Sequence, residues 1–192
     1  MPIDARPCLT LAHSPDPDDA FMWWPLTGGV AEAPAIDTGR FRFETVASDI
    51  ETLNAAASSG RYDLTAVSCA RYPSVRETYA ITCCGASVGD GYGPKVVARE
   101  ALDRDELEGG DGGVLAIPGR HTSAWATFRM LSAGPWAVRE MPFREVIPAV
   151  AAGEADVGLV IHEAQLTAEA AGVRVVEDLG RWWRDRHGTM LP

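Results

Sequence analysis

An α/β protein of two similar halves, each built on a mainly parallel sheet, is the expectation from this 192-residue sequence. Two repeated phrases support it. A helix, then Gly-x-x-Asp, then an apolar strand occurs as "ETLNAAASSGRYDLTAVS" and again as "EVIPAVAAGEADVGLVIH". A strand, a polar turn and a helix also occur twice, as "LTLAHSPDPDDAFMWW" and "VLAIPGRHTSAWATFRML". Strands that alternate with helices favour parallel pairing, because parallel neighbours need crossover connections.

Residues 9–12 read as the opening strand. Pro15 and Pro17, set among Asp16, Asp18 and Asp19, stop it and make 14–18 a loop. Asp18 or Asp19 then caps a short helix over 20–26. Residues 28–40 read as a loop and 41–46 as a strand. Residues 50–59 are helix-like, Gly60 ends that helix, and 62–68 form an apolar strand. GDGYGP, residues 89–94, precedes a strand instead of opening a helix, so it lacks the context of a dinucleotide loop and reads as a pliant crossover between lobes. Strands follow at 95–98 and 114–117, separated by an acidic, glycine-rich turn region over 101–113. Pro118 and Gly119 break the second of these, and Thr122 or Ser123 caps a helix over 124–131 with an apolar face. A helix over 145–152 leads into the strand at 157–161. The halves are expected as lobes 1–92 and 93–185, with 186–192 returning to the first.

Composition narrows the function. With 46% hydrophobic and 23% charged residues, the chain is an ordinary globular protein. A net charge of −10 opposes binding to nucleic acid or an anionic membrane surface. No run approaches the roughly 18 apolar residues that span a bilayer, and no charged start precedes an apolar run, so the expected location is cytoplasmic. Cys8, Cys69, Cys83 and Cys84 form no CxxC or zinc-like spacing and read as reduced, mostly buried thiols. Asp16, Asp18 and Asp19 read as capping and solvated groups, with a divalent cation the weaker reading.

Ligands of parallel α/β sheets sit beyond the carboxyl ends of the strands. Four polar segments follow such ends: 13–19, 68–72, 118–124 and 162–165. Ser68, Thr122 and Ser123 offer hydroxyls, and the amides at the helix start near Thr122–Ala124 offer an anion cradle. His162 titrates near neutral pH and could act as a base, although a lone strand-end histidine is more often a satisfied polar group. Arg120 and His121 are either ligands or surface residues beside the anion cradle. Trp182 and Trp183 read as core aromatics. The expected partner is a small anionic, carboxylate-bearing substrate, with a homodimer as the candidate assembly.

SPDPDDAF (14–21), VSCARY (67–72), GYGP (91–94), IPGRHTSA (117–124), VIHEAQLT (160–167) and DLGRWW (178–183) occur in order along nearly the whole chain. Together they resemble the 1,4-dihydroxy-6-naphthoate synthases of the futalosine route to menaquinone. The resemblance implies a two-lobed fold like type II periplasmic binding proteins, with the active site in the cleft between lobes. It implies a cofactor-independent carbon–carbon lyase that cleaves cyclic dehypoxanthinylfutalosine, with His162 as the base. Ser68, Thr122, Ser123 and Ala124 then line the substrate pocket, with Ser14 as a further binding residue. Beside this, Glu163 is expected either to orient the histidine loop or to set the imidazole tautomer. The chain departs from the family at Asp16, where the more usual loop reads Ser-Pro-Cys-Pro-Asn-Asp, and this adds a negative charge. Family chains also continue beyond the motif that ends here as GTMLP, so a C-terminally incomplete reading of a longer gene is expected. The competing expectations are a chorismate dehydratase-like sibling and a non-catalytic small-carboxylate-binding protein.

Overall fold

The structure, a computed structural model, describes residues 5–17, 19–28, 33–110, 112–161 and 168–191. It divides into two compact units, Met1–Ser87 and Val88–Pro192.

The first unit runs β1 (Cys8–His13), α1 (Ala20–Thr27), β2 (Arg42–Ala47), α2 (Ile50–Ala57) and β3 (Leu64–Thr65), followed by a 3-10 helix over Cys69–Ser74. Its sheet has the order β2-β1-β3 and is parallel throughout. Asp49 starts α2 by accepting the Thr52 amide at 3.0 Å and the Thr52 hydroxyl at 2.6 Å. The core is small: Leu11 and Ala12 of β1, Leu53 and Ala57 of α2, and Val75.

The second unit contains β4 (Lys95–Ala98), α3 (Arg104–Gly109), β5 (Val114–Ile117), α4 (Ser123–Leu131), β6 (Ala137–Glu140), α5 (Phe143–Ala151), β7 (Val157–Val160), a 3-10 turn at Glu169–Ala171, β8 (Arg174–Asp178) and α6 (Leu179–His187). Its sheet order is β6-β5-β7-β4-β8, and only β4 runs against its neighbours. Side chains alternate across the two faces, as the strand period demands. Val96, Leu115, Ile117, Val157 and Leu159 meet Phe128 of α4 and Trp182 of α6 on one face. Val97, Ala116 and Val160 meet Val146, Ile147 and Val150 of α5 on the other. Gly158 lies under α5, where a Cβ would come within 2.7 Å of Val146 Cγ1 and 2.9 Å of Val150 Cγ2.

The repeated Gly-x-x-Asp phrase does the same job twice. Asp63 accepts the Thr10 amide and the Thr10 hydroxyl, both at 2.8 Å, and so ties the entry of β3 to β1. Asp156 accepts the Val114 amide at 2.8 Å and donates its own amide to the Val114 carbonyl at 2.9 Å, tying β7 to β5.

Several expectations change. The strand expected over 62–68 is confined to Leu64–Thr65; the Ala66 amide still reaches the Ala12 carbonyl at 2.9 Å, and the Ser68 amide turns to Asn54 instead. The region 101–113, expected as turn, holds α3, whose Asp103–Glu106 capping box satisfies both ends of its first turn. Three of the four thiols, expected to be mostly buried, are exposed at Cys69, Cys83 and Cys84, because they lie in segments that no layer covers. GDGYGP packs against the start of α6, where a Cβ on Gly180 would stand 2.2 Å from the Tyr92 carbonyl carbon. The Leu191 backbone forms an antiparallel bridge with Gly89. Among the described residues, no helix is long and apolar enough to cross a membrane.

Candidate functional site

All three strands of the first unit end on one edge, and the predicted polar residues hang from it. β1 delivers His13, Ser14 and Asp16, all buried, with Ser14 only 2% exposed. The His13 ring stacks on Trp23 at 4.1 Å, and its Nδ1 lies 2.7 Å from the Ser14 carbonyl. A carbonyl can only accept, so Nδ1 carries the hydrogen. The Ser14 hydroxyl donates to the Asp16 carboxylate. Asp16 is therefore neither a cap nor a solvated group, contrary to the expectation. It is a buried acceptor that holds the turn after β1, and its own carbonyl receives the Asp19 amide at 3.2 Å. Asp19 occupies the N-cap of α1 without a side-chain bond to the helix. Asp18 lies outside the described residues.

β3 is joined to β1 by the Ala66 amide, which donates to the Ala12 carbonyl at 2.9 Å, and two residues later comes Ser68. Ser68 is half-buried and occupies the N-cap position of the 3-10 helix without a side-chain bond to it. The side chain of Asn54, on α2 and fully buried, holds it by two bonds: Nδ2 to Ser68 Oγ at 3.0 Å and Oδ1 from the Ser68 amide at 2.8 Å. Arg71 completes the cluster. Its Nε donates to the Asn54 carbonyl at 3.0 Å, and its other nitrogens reach Ser74 and Ser58.

In the second unit β5 ends at Ile117, and the turn through Gly119 leads to Thr122, buried at 3% exposure. Thr122 caps α4 by accepting the Trp125 amide at 3.1 Å and donates its hydroxyl to Gly119 at 2.8 Å. Ser123 and Ala124 form the first turn, so the positive end of α4 stands at the carboxyl edge of this sheet. Arg120 is committed to Glu140 at the end of β6, with Nε to Oε1 at 2.7 Å. β7 runs parallel to β5 and reaches buried Ile161 at the same edge. His162 and Glu163 lie outside the described residues, as does all of 162–167. Trp182 and Trp183 belong to the core of this unit, as expected.

The structure thus brings Ser14 and Ser68 to one sheet edge, and Thr122, Ser123 and Ala124 to another. Asn54, His13, Asp16 and Trp23 add contacts that sequence reasoning did not assign. Asn54 did carry a signal, since an asparagine inside an alanine-rich helix competes with its backbone and needs another reason to be there. Two carboxylates titrate below their ordinary range. At Asp49 burial pushes the pKa up, but the bonds from Thr52 outweigh it. At Asp63 the Thr10 amide and hydroxyl lower it. A cavity of about 380 Å³ lies at the opposite edge of the second sheet, among Glu100, Asp105, Trp136 and Asp156.

Residues 9–192 match the family model described as menaquinone biosynthesis. This chain belongs to the menaquinone biosynthesis family. It is 40% identical over 184 residues to the 1,4-dihydroxy-6-naphtoate synthase of Thermus thermophilus, and 37% identical over 190 residues to that of Streptomyces coelicolor. Each match covers 96% of this chain and 63% of the relative, so the chain spans slightly under two thirds of the length of these relatives. A crystal structure from Archaeoglobus fulgidus superposes with a TM-score of 0.85 at 40% identity, covering 96% of this chain and 65% of that one. The alkanesulfonate-binding protein of Xanthomonas axonopodis pv. citri superposes with a TM-score of 0.64 at 15% identity, over 91% of this chain and 62% of that one. The fold of this chain is accordingly periplasmic-binding-protein-like, α/β with mainly parallel sheets.

Proposed function

We propose that this protein is a 1,4-dihydroxy-6-naphthoate synthase, a cofactor-independent lyase that cleaves cyclic dehypoxanthinylfutalosine. The observation that carries the reading is the 40% identity to a synthase of that name across 96% of the chain. Polar groups at the carboxyl edges of both sheets support it, because Ser68 on one and the Thr122–Ala124 turn on the other are of the type that binds a carboxylate. In this reading Ser68 and the Thr122–Ala124 turn hold the substrate and His162 is the base.

The chemistry asks for a base that removes one proton so that a carbon–carbon bond can break and the new ring can become aromatic. A histidine suits this, since its ordinary pKa of about 6.5 lets it accept a proton at physiological pH. Hydroxyl and amide donors would hold the substrate carboxylate and stabilise any enolate that forms. The same reading places the protein in the cytoplasm, with a small anionic substrate as its partner.

Incubation of the full-length protein with cyclic dehypoxanthinylfutalosine, followed by the absorbance of 1,4-dihydroxy-6-naphthoate, tests the reading directly. Turnover is expected, and its absence overturns the assignment. His162→Ala is expected to lose at least about 100-fold in kcat. Wild-type turnover by that variant would remove His162 as the base while leaving the function standing.

A further inference from the structure

The Asn54–Ser68 pair carries an inference about direction. The Ser68 amide is an obligate donor, so the Asn54 atom 2.8 Å from it must be Oδ1. That assignment is settled by chemistry and not by the shape of the amide, whose two ends look alike. Nδ2 is then the atom 3.0 Å from Ser68 Oγ, and an amide nitrogen can only donate. Ser68 Oγ is therefore an acceptor toward Asn54, and its own hydrogen must point elsewhere. The Ser68 carbonyl is also occupied, by the Arg71 amide at 2.8 Å. What remains is one hydroxyl hydrogen with no acceptor among the described residues, on a half-buried side chain at the carboxyl edge of β3.

We infer that Asn54 is a positioning residue that makes Ser68 a one-way hydrogen-bond donor to a carboxylate of the ligand. The identity of that ligand rests on the function proposed above; the directionality rests on the geometry alone. Arg71 supports the arrangement by gripping the Asn54 carbonyl, which fixes α2 against the segment after β3. A hydroxyl with free rotation would spend part of its time with its lone pairs toward the anion. Holding the lone pair on Nδ2 removes that unfavourable orientation before the ligand arrives.

The test is a binding cycle on the full-length protein with 1,4-dihydroxy-6-naphthoate as the probe, measured by titration calorimetry in wild type, S68A, N54D, N54L and the two double variants. N54D keeps the acceptor for the Ser68 amide but turns the donor into a second acceptor, which draws the hydroxyl hydrogen inward. N54L, close in shape and uncharged, removes the donor without adding charge. Each single variant is expected to weaken binding about tenfold, the scale of one hydrogen bond to a charged group. In the S68A background neither Asn54 variant should weaken binding by more than about twofold, because the residue it positions is already gone. Thermal midpoints measured alongside identify any variant whose loss is one of folding, and N54D reads the effect if N54L does not fold.

Wild-type affinity in both N54D and N54L overturns the inference, as does a loss that persists undiminished in the S68A background. Failure of the wild type to bind the probe also overturns it. Binding without turnover of the cyclic substrate would instead sink the function proposed above, and the cycle would still report on Asn54.

Discussion

The two units share their wiring and differ in how deeply they are packed. β1-α1-β2-α2-β3 in the first and β5-α4-β6-α5-β7 in the second both place the earliest strand in the middle, flanked by the two that follow. Both tie the last of these strands to the first through the aspartate of Gly-x-x-Asp. Yet among the described residues the first unit buries five apolar side chains and the second buries 24. In the first, α1 buries none of its residues, and Phe21 is 82% exposed. In the second, β4, β8 and α6 widen the sheet and cover one face while α5 covers the other. Topology is therefore specified by short local phrases, whereas stability is specified by how many layers those phrases recruit.

The largest effect should come from the deeper core. Phe128 is fully buried against the sheet, with Trp125 and Trp136 beside it at ring distances of 6.2 and 6.1 Å. Phe128→Ala is expected to cost about 3–5 kcal/mol through lost burial and the cavity left behind. Peptide-resolved hydrogen exchange should show the lost protection in β5, β7 and α4. Equal loss across β1–β3 would break the distinction between the two cores.

A second, smaller effect tests the close seating of α5. Gly158→Ala puts a methyl group within contact distance of Val146 and Val150, and is expected to cost about 1–3 kcal/mol by overpacking, read from urea unfolding. Val146→Ala in the same chain should return part of that loss, because it opens the space the new methyl needs. If the double variant is worse than the sum of the singles, the strain comes from elsewhere.

Much of this wiring could be read from the residues. The strands at 9–12, 95–98, 114–117 and 157–161 were set by apolar runs bounded by proline, glycine or aspartate, and the Thr122 cap by its place after Pro118–Gly119. Elements escaped where local signals are weak or opposed. β6 has mostly exposed side chains, so no burial pattern announces it. α3 is only six residues long, and its capping box was masked by the glycines that follow. In the site, hydroxyls and caps were visible as residue types. Asn54 acts over 14 residues of separation and the Ser14–Asp16 bond is a matter of burial, so neither could be read without the fold.

The finest test separates the two aspartate ties, which differ by one hydroxyl. Asp63 faces Thr10 and receives both its amide and its hydroxyl, whereas Asp156 faces Val114 and receives the amide alone. The Thr10 bonds hold the Asp63 pKa below the ordinary carboxylate value. A carboxylate depressed in the folded state adds stability that is complete above its unfolded pKa of about 3.9 and is lost as the pH falls through the lower, folded value. Wild type should therefore lose this increment below about pH 4, and Asp63→Asn, which cannot ionise, should lack it at every pH. The gap between their thermal midpoints is expected to be constant above about pH 5 and to narrow below pH 4. Thr10→Val makes the first tie resemble the second; NMR titration of Asp63 in that variant should show its pKa moving up toward the ordinary value. An unchanged pKa in Thr10→Val would mean that the amide alone sets the shift and that the hydroxyl is not what distinguishes the two units.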